Sequence, residues 1–110
     1  MALYMYQAAY VADSWAAQLK NPQNRAESIG RAVCEAVGGK LVGSWYCFGE
    51  YDLMIIADVP DNASMTAIAV GIAAGGAVKS AKTTVLMSGA DAVAGMKKAE
   101  AVAKTYKPAL

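Results

Sequence analysis

Two apolar runs, residues 41–48 and 53–59, flank the tetrapeptide Gly49-Glu50-Tyr51-Asp52. A glycine able to adopt positive φ beside a polar residue makes a tight chain reversal. Gly49 and Glu50 are therefore the expected turn residues, and the segment predicts a β-hairpin. Phe48 then opposes Tyr51, Cys47 opposes Asp52, Tyr46 opposes Leu53 and Trp45 opposes Met54. Opposed residues share a sheet face. One face carries Val42, Ser44, Tyr46, Phe48, Tyr51, Leu53, Ile55 and Ala57. The other carries Leu41, Gly43, Trp45, Cys47, Asp52, Met54 and Ile56. Both faces are apolar, whereas an antiparallel sheet with one wet side shows polar residues on that side. Helices are expected on one face and a second covering layer on the other.

The flanking elements follow from periodicity. Residues 2–11 alternate, with Tyr4, Tyr6, Ala8 and Tyr10 on one side, which predicts a first strand. Asp13-Ser14 is expected to cap a short helical turn holding Trp15 and Leu19, ended at Asn21-Pro22. Asn24 followed by Glu27 fits a helix start. Ile29, Ala32, Val33, Ala36 and Val37 supply the apolar stripe of that helix, with Arg25, Arg31 and Glu35 outside. Gly38-Gly39 ends it. Pro60-Asp61 opens the next helix, with Asp61 or Asn62 as cap and Met65, Ile68, Ala69, Ile72 and Ala73 toward the sheet. Its other side, Ala63, Ala67, Val70 and Ala74, is also apolar, which predicts burial all round. Gly75-Gly76 closes it. Residues 78–87 predict a fourth strand, with Lys79 and Lys82 on opposite faces, and residues 90–106 a last helix. The order is β-α-β-β-α-β plus a C-terminal helix, a ferredoxin-like α+β arrangement with a four-stranded antiparallel sheet. Its uncovered face predicts sheet-to-sheet pairing of two chains, a dimeric α+β barrel.

Composition agrees with an assembly. Hydrophobic residues make up 56% of the 110 residues and charged ones 17%, against about 25% charged in an average domain. A chain this short is expected to form one domain and has difficulty hiding that much apolar surface alone. The net charge of +1 gives no electrostatic reason to expect nucleic acid. The longest nearly apolar run, residues 65–78, is too short to span a bilayer, and the N-terminus lacks the shape of a signal peptide. A cytoplasmic location is the expectation. Two cysteines, Cys34 and Cys47, are expected as buried free thiols, with a disulfide as the alternative.

The chain resembles the GYD domain family, small bacterial proteins of unassigned biochemical function. The signature stands here as Gly49-Glu50-Tyr51-Asp52, one residue longer than its three letters. Pro22 with Arg25-Ala26-Glu27, Gly38-Gly39-Lys40 and the Pro60-Asp61 helix entry add to the likeness, which covers about residues 3–88. The resemblance implies a dimeric α+β barrel, an architecture that serves oxygenases, isomerases, haem enzymes and ligand-sensing domains alike, so it implies no single reaction.

The chain contains no histidine, which removes the commonest general base and metal ligand. Neither a CxxC pair, a phosphate-cradling loop nor a GxSxG turn occurs. No metal and no cofactor are expected. Asp52 is the sharpest candidate. Beside Cys47 and Trp45 it can act as a base toward a bound substrate, or it can accept backbone amides and lock the hairpin. Tyr51 can orient a ligand or pack against Phe48. Tyr6, Trp45, Tyr51 and Asp52 are the candidate contacts of a small apolar or aromatic ligand. Arg25 and Arg31 can hold an anion or face solvent. Three functions follow from these residues. The first is a homodimeric or higher-oligomeric small-molecule-binding protein. The second is a metal-free oxygenase or isomerase with Asp52 as base and Tyr51 or Tyr6 orienting substrate. The third is an assembly module without ligand.

Overall fold

A computed structural model describes residues 1–110. The chain order is β1 (Ala2–Tyr10), α1 (Ala12–Lys20), α2 (Arg25–Ala36), β2 (Lys40–Tyr46), β3 (Leu53–Val59), α3 (Asn62–Ala74), β4 (Val78–Val85) and α4 (Gly89–Thr105). The four strands form one antiparallel sheet in the order β2-β3-β1-β4. This is the ferredoxin-like α+β topology expected from the sequence.

The hairpin pairs as expected near its tip. Tyr46 opposes Leu53 and Trp45 opposes Met54, and the Cys47 amide donates to the Asp52 carbonyl at 2.9 Å. Gly49 has φ 121°, a conformation side-chain-bearing residues rarely adopt. Toward the other end the register slips. Gly43 opposes Ile56 while Leu41 opposes Ala57, so Val42 is the extra residue of a bulge. The slip corrects the expected faces. Leu41 moves to the helix side and packs against the core, while Val42 is exposed.

Side-chain alternation decides where the core lies. Tyr4, Tyr6, Ala8 and Tyr10 of β1 and Leu53, Ile55, Ala57 and Val59 of β3 are buried beneath the helices, together with Met65 and Ile68 of α3. The opposite sheet face is open. Trp45 is 52% and Leu3 42% exposed there, beside half-buried Met5, Met54 and Ile56.

Helix α2 starts where Asn24 places it. The Asn24 side chain accepts the Glu27 amide at 3.3 Å, which caps the helix, and donates to the Glu27 carboxylate at 3.1 Å, a side-chain bond that holds the cap in place. Its buried stripe differs from expectation. Ala26, Gly30 and Cys34 face the sheet, Val33 and Val37 flank them, Ala32 turns outward, and Ile29 and Ala36 border the gap toward α3. The smallest residues lie nearest the strands because Leu41 occupies the space beside Gly30. A Cβ at Gly30 would stand 3.2 Å from Leu41 Cδ1.

Helix α3 is capped by Asp61, which accepts the Ser64 amide at 2.8 Å. Its outer side is not buried within the chain: Val70 is 60% exposed. The turn after β1 is longer than expected, a nine-residue helix with Val11 rather than Asp13 or Ser14 at its N-cap. Trp15 of α1 meets Tyr10 edge-on at 5.1 Å. β4 ends at Val85, before the expected Met87. Helix α4 begins at Gly89 under a Ser88 cap, buries no residue and stands away from the domain. The radius of gyration is therefore 17.5 Å, against about 13 Å for a compact chain of this length. No helix is long and apolar enough to cross a membrane.

Candidate functional site

A cleft of about 540 Å³ lies between the sheet and helices α2 and α3. Its floor is Tyr6, Ala8, Tyr10, Leu53 and Ile55, and its walls are Ile29 and Val33 on one helix and Ile68 and Ile72 on the other. Small residues keep it open. Ala26 and Gly30 line it from α2, and Ala67 and Gly71 of α3 with its C-cap Gly75 at four-residue spacing. A Cβ added at Gly71 would meet nothing within 4 Å. The volume falls in the range of small-molecule sites, about 300–1,000 Å³.

Polar groups in this cleft are few. Tyr6 is 2% exposed and its hydroxyl has no hydrogen-bond partner. Burial raises its pKa, so it remains a neutral donor at physiological pH. At one end of the cleft stand Tyr10, Tyr46 and Arg25. Burial raises the Tyr10 pKa, Tyr46 adds to that, and the Arg25 guanidinium and Gln18 side chain oppose it, while Asp52 raises it further. The Tyr46 hydroxyl accepts the Ala26 amide at 3.1 Å and so satisfies an otherwise free donor of the first turn of α2.

The four expected ligand contacts do not come together. Tyr6 lines the cleft, whereas Trp45, Tyr51 and Asp52 do not. Trp45 lies on the open sheet face over Gly43. Asp52 is tied into the backbone of β1: its Oδ2 accepts the Tyr10 amide at 2.9 Å and its own amide donates to the Ala8 carbonyl at 2.9 Å. Tyr51 is half-buried, and its carbonyl accepts the Cys47 thiol at 3.2 Å. Gly49 and Glu50 form the hairpin tip, with Phe48 wholly exposed beside them. Both cysteines are free; Cys34 is buried, which raises its thiol pKa, and Cys47 is half-buried rather than buried.

Arg25, read from the sequence as a helix-face residue with a possible anion role, lines the cleft as well as a neighbouring hollow. The paired stripes of Ala and Gly on α2 and α3 were the legible signal for the cleft. At i, i+4 spacing, small side chains on two helices over one sheet leave a gap between them.

A four-stranded antiparallel sheet with two helices on one face and a locked hairpin at one end defines a ferredoxin-like α+β domain. The chain belongs to the GYD domain family: the family model matches residues 4–104. The match runs past residue 88 and takes in most of α4. No curated protein matches the chain. Among solved structures, the crystal structure of FFRP-DM1 is similar, with a TM-score of 0.52 and 12% identity over 79% of this chain and 100% of that one. At that identity the likeness is one of fold.

Proposed function

We propose that this GYD domain is a homo-oligomeric protein that binds a small apolar or aromatic molecule in the cleft between sheet and helices. The observation that carries the proposal is the Tyr6 hydroxyl, buried without a partner beneath a largely apolar cleft whose floor its side chain helps to form. An unpaired buried hydroxyl costs about 1–3 kcal/mol. The hydroxyl is closed over in the free chain, so a ligand oxygen reaches it only when the side chains around it part, and then recovers that cost and orients the molecule. Asp52, engaged by the Tyr10 amide and outside the cleft lining, serves the hairpin in this reading rather than a reaction.

Replacing Tyr6 by phenylalanine tests the site through the sign of its effect. Without ligand, Tyr6→Phe removes an unpaired hydroxyl, so thermal unfolding is expected at an equal or higher temperature. With the ligand that native mass spectrometry finds on protein from its own host, wild type gains more stability than the variant. Equal ligand-induced shifts in the two proteins would overturn the assignment of Tyr6.

The open sheet face supports the oligomer. It presents Leu3, Met5, Trp45, Met54 and Ile56 with no covering layer from the same chain. A second copy laid sheet to sheet supplies one. Placing a charge at its centre, Ile56→Glu, is expected to convert the assembly to monomer in light scattering at micromolar concentration. An unchanged mass would exclude that face as the interface.

A further inference from the structure

The cleft does not end at its apolar walls. A second hollow of about 310 Å³ adjoins it, lined by Ser14, Gln18, Asn21, Gln23 and Arg25. Arg25 lines both spaces and is the only charged residue lining either. An apolar trough therefore opens beside a polar chamber, with one guanidinium at the junction.

Two further observations set Arg25 apart. It has no carboxylate partner: the ion pairs of the chain are Arg31 with Glu27 and Lys104 with Glu100. It also occupies the first turn of α2, directly after the Asn24 cap. That is the positive end of the helix dipole, where a cation destabilises the helix and an anion is favoured. Helix stability gives no reason for an arginine at this place. Anion binding does, because guanidinium and helix terminus then act with the same sign.

We infer that the ligand is an amphipathic monoanion: an apolar chain or aryl body seated in the cleft, with a carboxylate held by Arg25 in the adjoining chamber. The inference rests on the cleft being the binding site and adds the charge and shape of its occupant. A planar guanidinium receives one carboxylate through two parallel hydrogen bonds. Ser14, Gln18, Asn21 and Gln23 offer neutral hydrogen bonds around it. With a single cation and no lysine lining either space, the chamber is matched to one negative charge rather than to a phosphate dianion. The body of the molecule is apolar because the cleft beyond Arg25 offers only tyrosine hydroxyls as polar side-chain groups.

Decanoate and 1-decanol, equal in chain length and different in charge, are suitable probes for calorimetric titration of the full chain. Wild type is expected to bind decanoate at least tenfold more tightly than 1-decanol. Arg25→Gln is expected to lose about tenfold in decanoate affinity and nothing for 1-decanol. Arg25→Lys, which keeps the charge but not the fork, is expected to recover part of the loss. Arg25 is exposed, so neither variant threatens folding. Equal decanoate affinity of wild type and Arg25→Gln overturns the inference, as does equal binding of the two probes by wild type. If 1-decanol binds and Tyr6→Phe weakens it while Arg25→Gln changes nothing, the cleft stands and its anionic preference fails. If neither probe binds, both fail.

Discussion

Asp52→Ala is expected to destabilise the domain by about 1–3 kcal/mol, the cost of leaving a buried donor unpaired. The Asp52 carboxylate accepts the amide of Tyr10 at 2.9 Å, and Tyr10 is 8% exposed. No other acceptor takes that amide, because the regular ladder between β1 and β3 stops at Ala8 opposite Leu53. Asp52 extends the strand pairing by one side-chain bond, while its own amide reaches the Ala8 carbonyl and its carbonyl receives the Cys47 amide. One residue thus joins the hairpin tip to the central strand, next to the cleft floor at Tyr10. Asp52→Asn keeps an acceptor oxygen at the same place and is expected to lose less than half as much. Denaturant unfolding of both variants measures the difference. An alanine variant as stable as wild type would show that the carboxylate does not hold the hairpin.

A larger loss, about 3 kcal/mol, is expected for Gly39→Ala. An added Cβ would lie 2.4 Å from the Asp58 carbonyl oxygen and 2.8 Å from Val59 Cγ1. Both belong to β3, which is paired on both sides. The strand backbone cannot retreat without breaking ladder bonds, so the clash becomes overpacking strain. Gly43 is the internal control. A Cβ there would stand 2.5 Å from Trp45 Cη2, the far end of a side chain that is half exposed within the chain rather than strand backbone. Gly43→Ala is therefore expected to cost clearly less. Comparable losses at the two positions, by the same denaturant measurement, would contradict this account of how closely the chain before β2 approaches β3.

Much of the architecture was legible because it depends on short-range rules. Opposition across Gly49-Glu50 placed Tyr46 against Leu53 and Trp45 against Met54, as observed. The Asn24 and Glu27 pair marked the start of α2, and Asp61 that of α3. Apolar residues on both hairpin faces pointed to a sheet with a face that its own helices do not cover. What was missed depends on tertiary contact. The bulge at Val42 leaves no mark in the alternation of residues 41–48, yet it carries Leu41 across the sheet. That leucine in turn fixes Gly30 as the contact point of α2 and leaves Ile29 and Ala36 beside the cleft rather than against the strands. Hydrophobic strength chose the wrong stripe there, because close approach selected the small residues.

The site divided in the same way. Tyr6 was placed by alternation along β1. Trp45 was grouped with it as a further aromatic side chain, and Tyr51 and Asp52 as the polar groups of the signature itself. Neighbours along a hairpin alternate between opposite faces, so nearness in sequence separated them in space. Arg25 lines the cleft and the hollow beside α1, a juxtaposition that no periodicity in either helix announces.

Isoleucine methyl spectra test the central claim, because four of the five isoleucines line the cleft and the fifth does not. Ile29, Ile55, Ile68 and Ile72 surround it, while Ile56 lies on the opposite face of the sheet. In protein labelled with ¹³C at isoleucine methyl groups and titrated with decanoate, the four cleft resonances are expected to shift together and saturate at one equivalent per chain, with Ile56 unmoved. Shifts confined to Ile56, or none at any isoleucine, would contradict binding in the cleft.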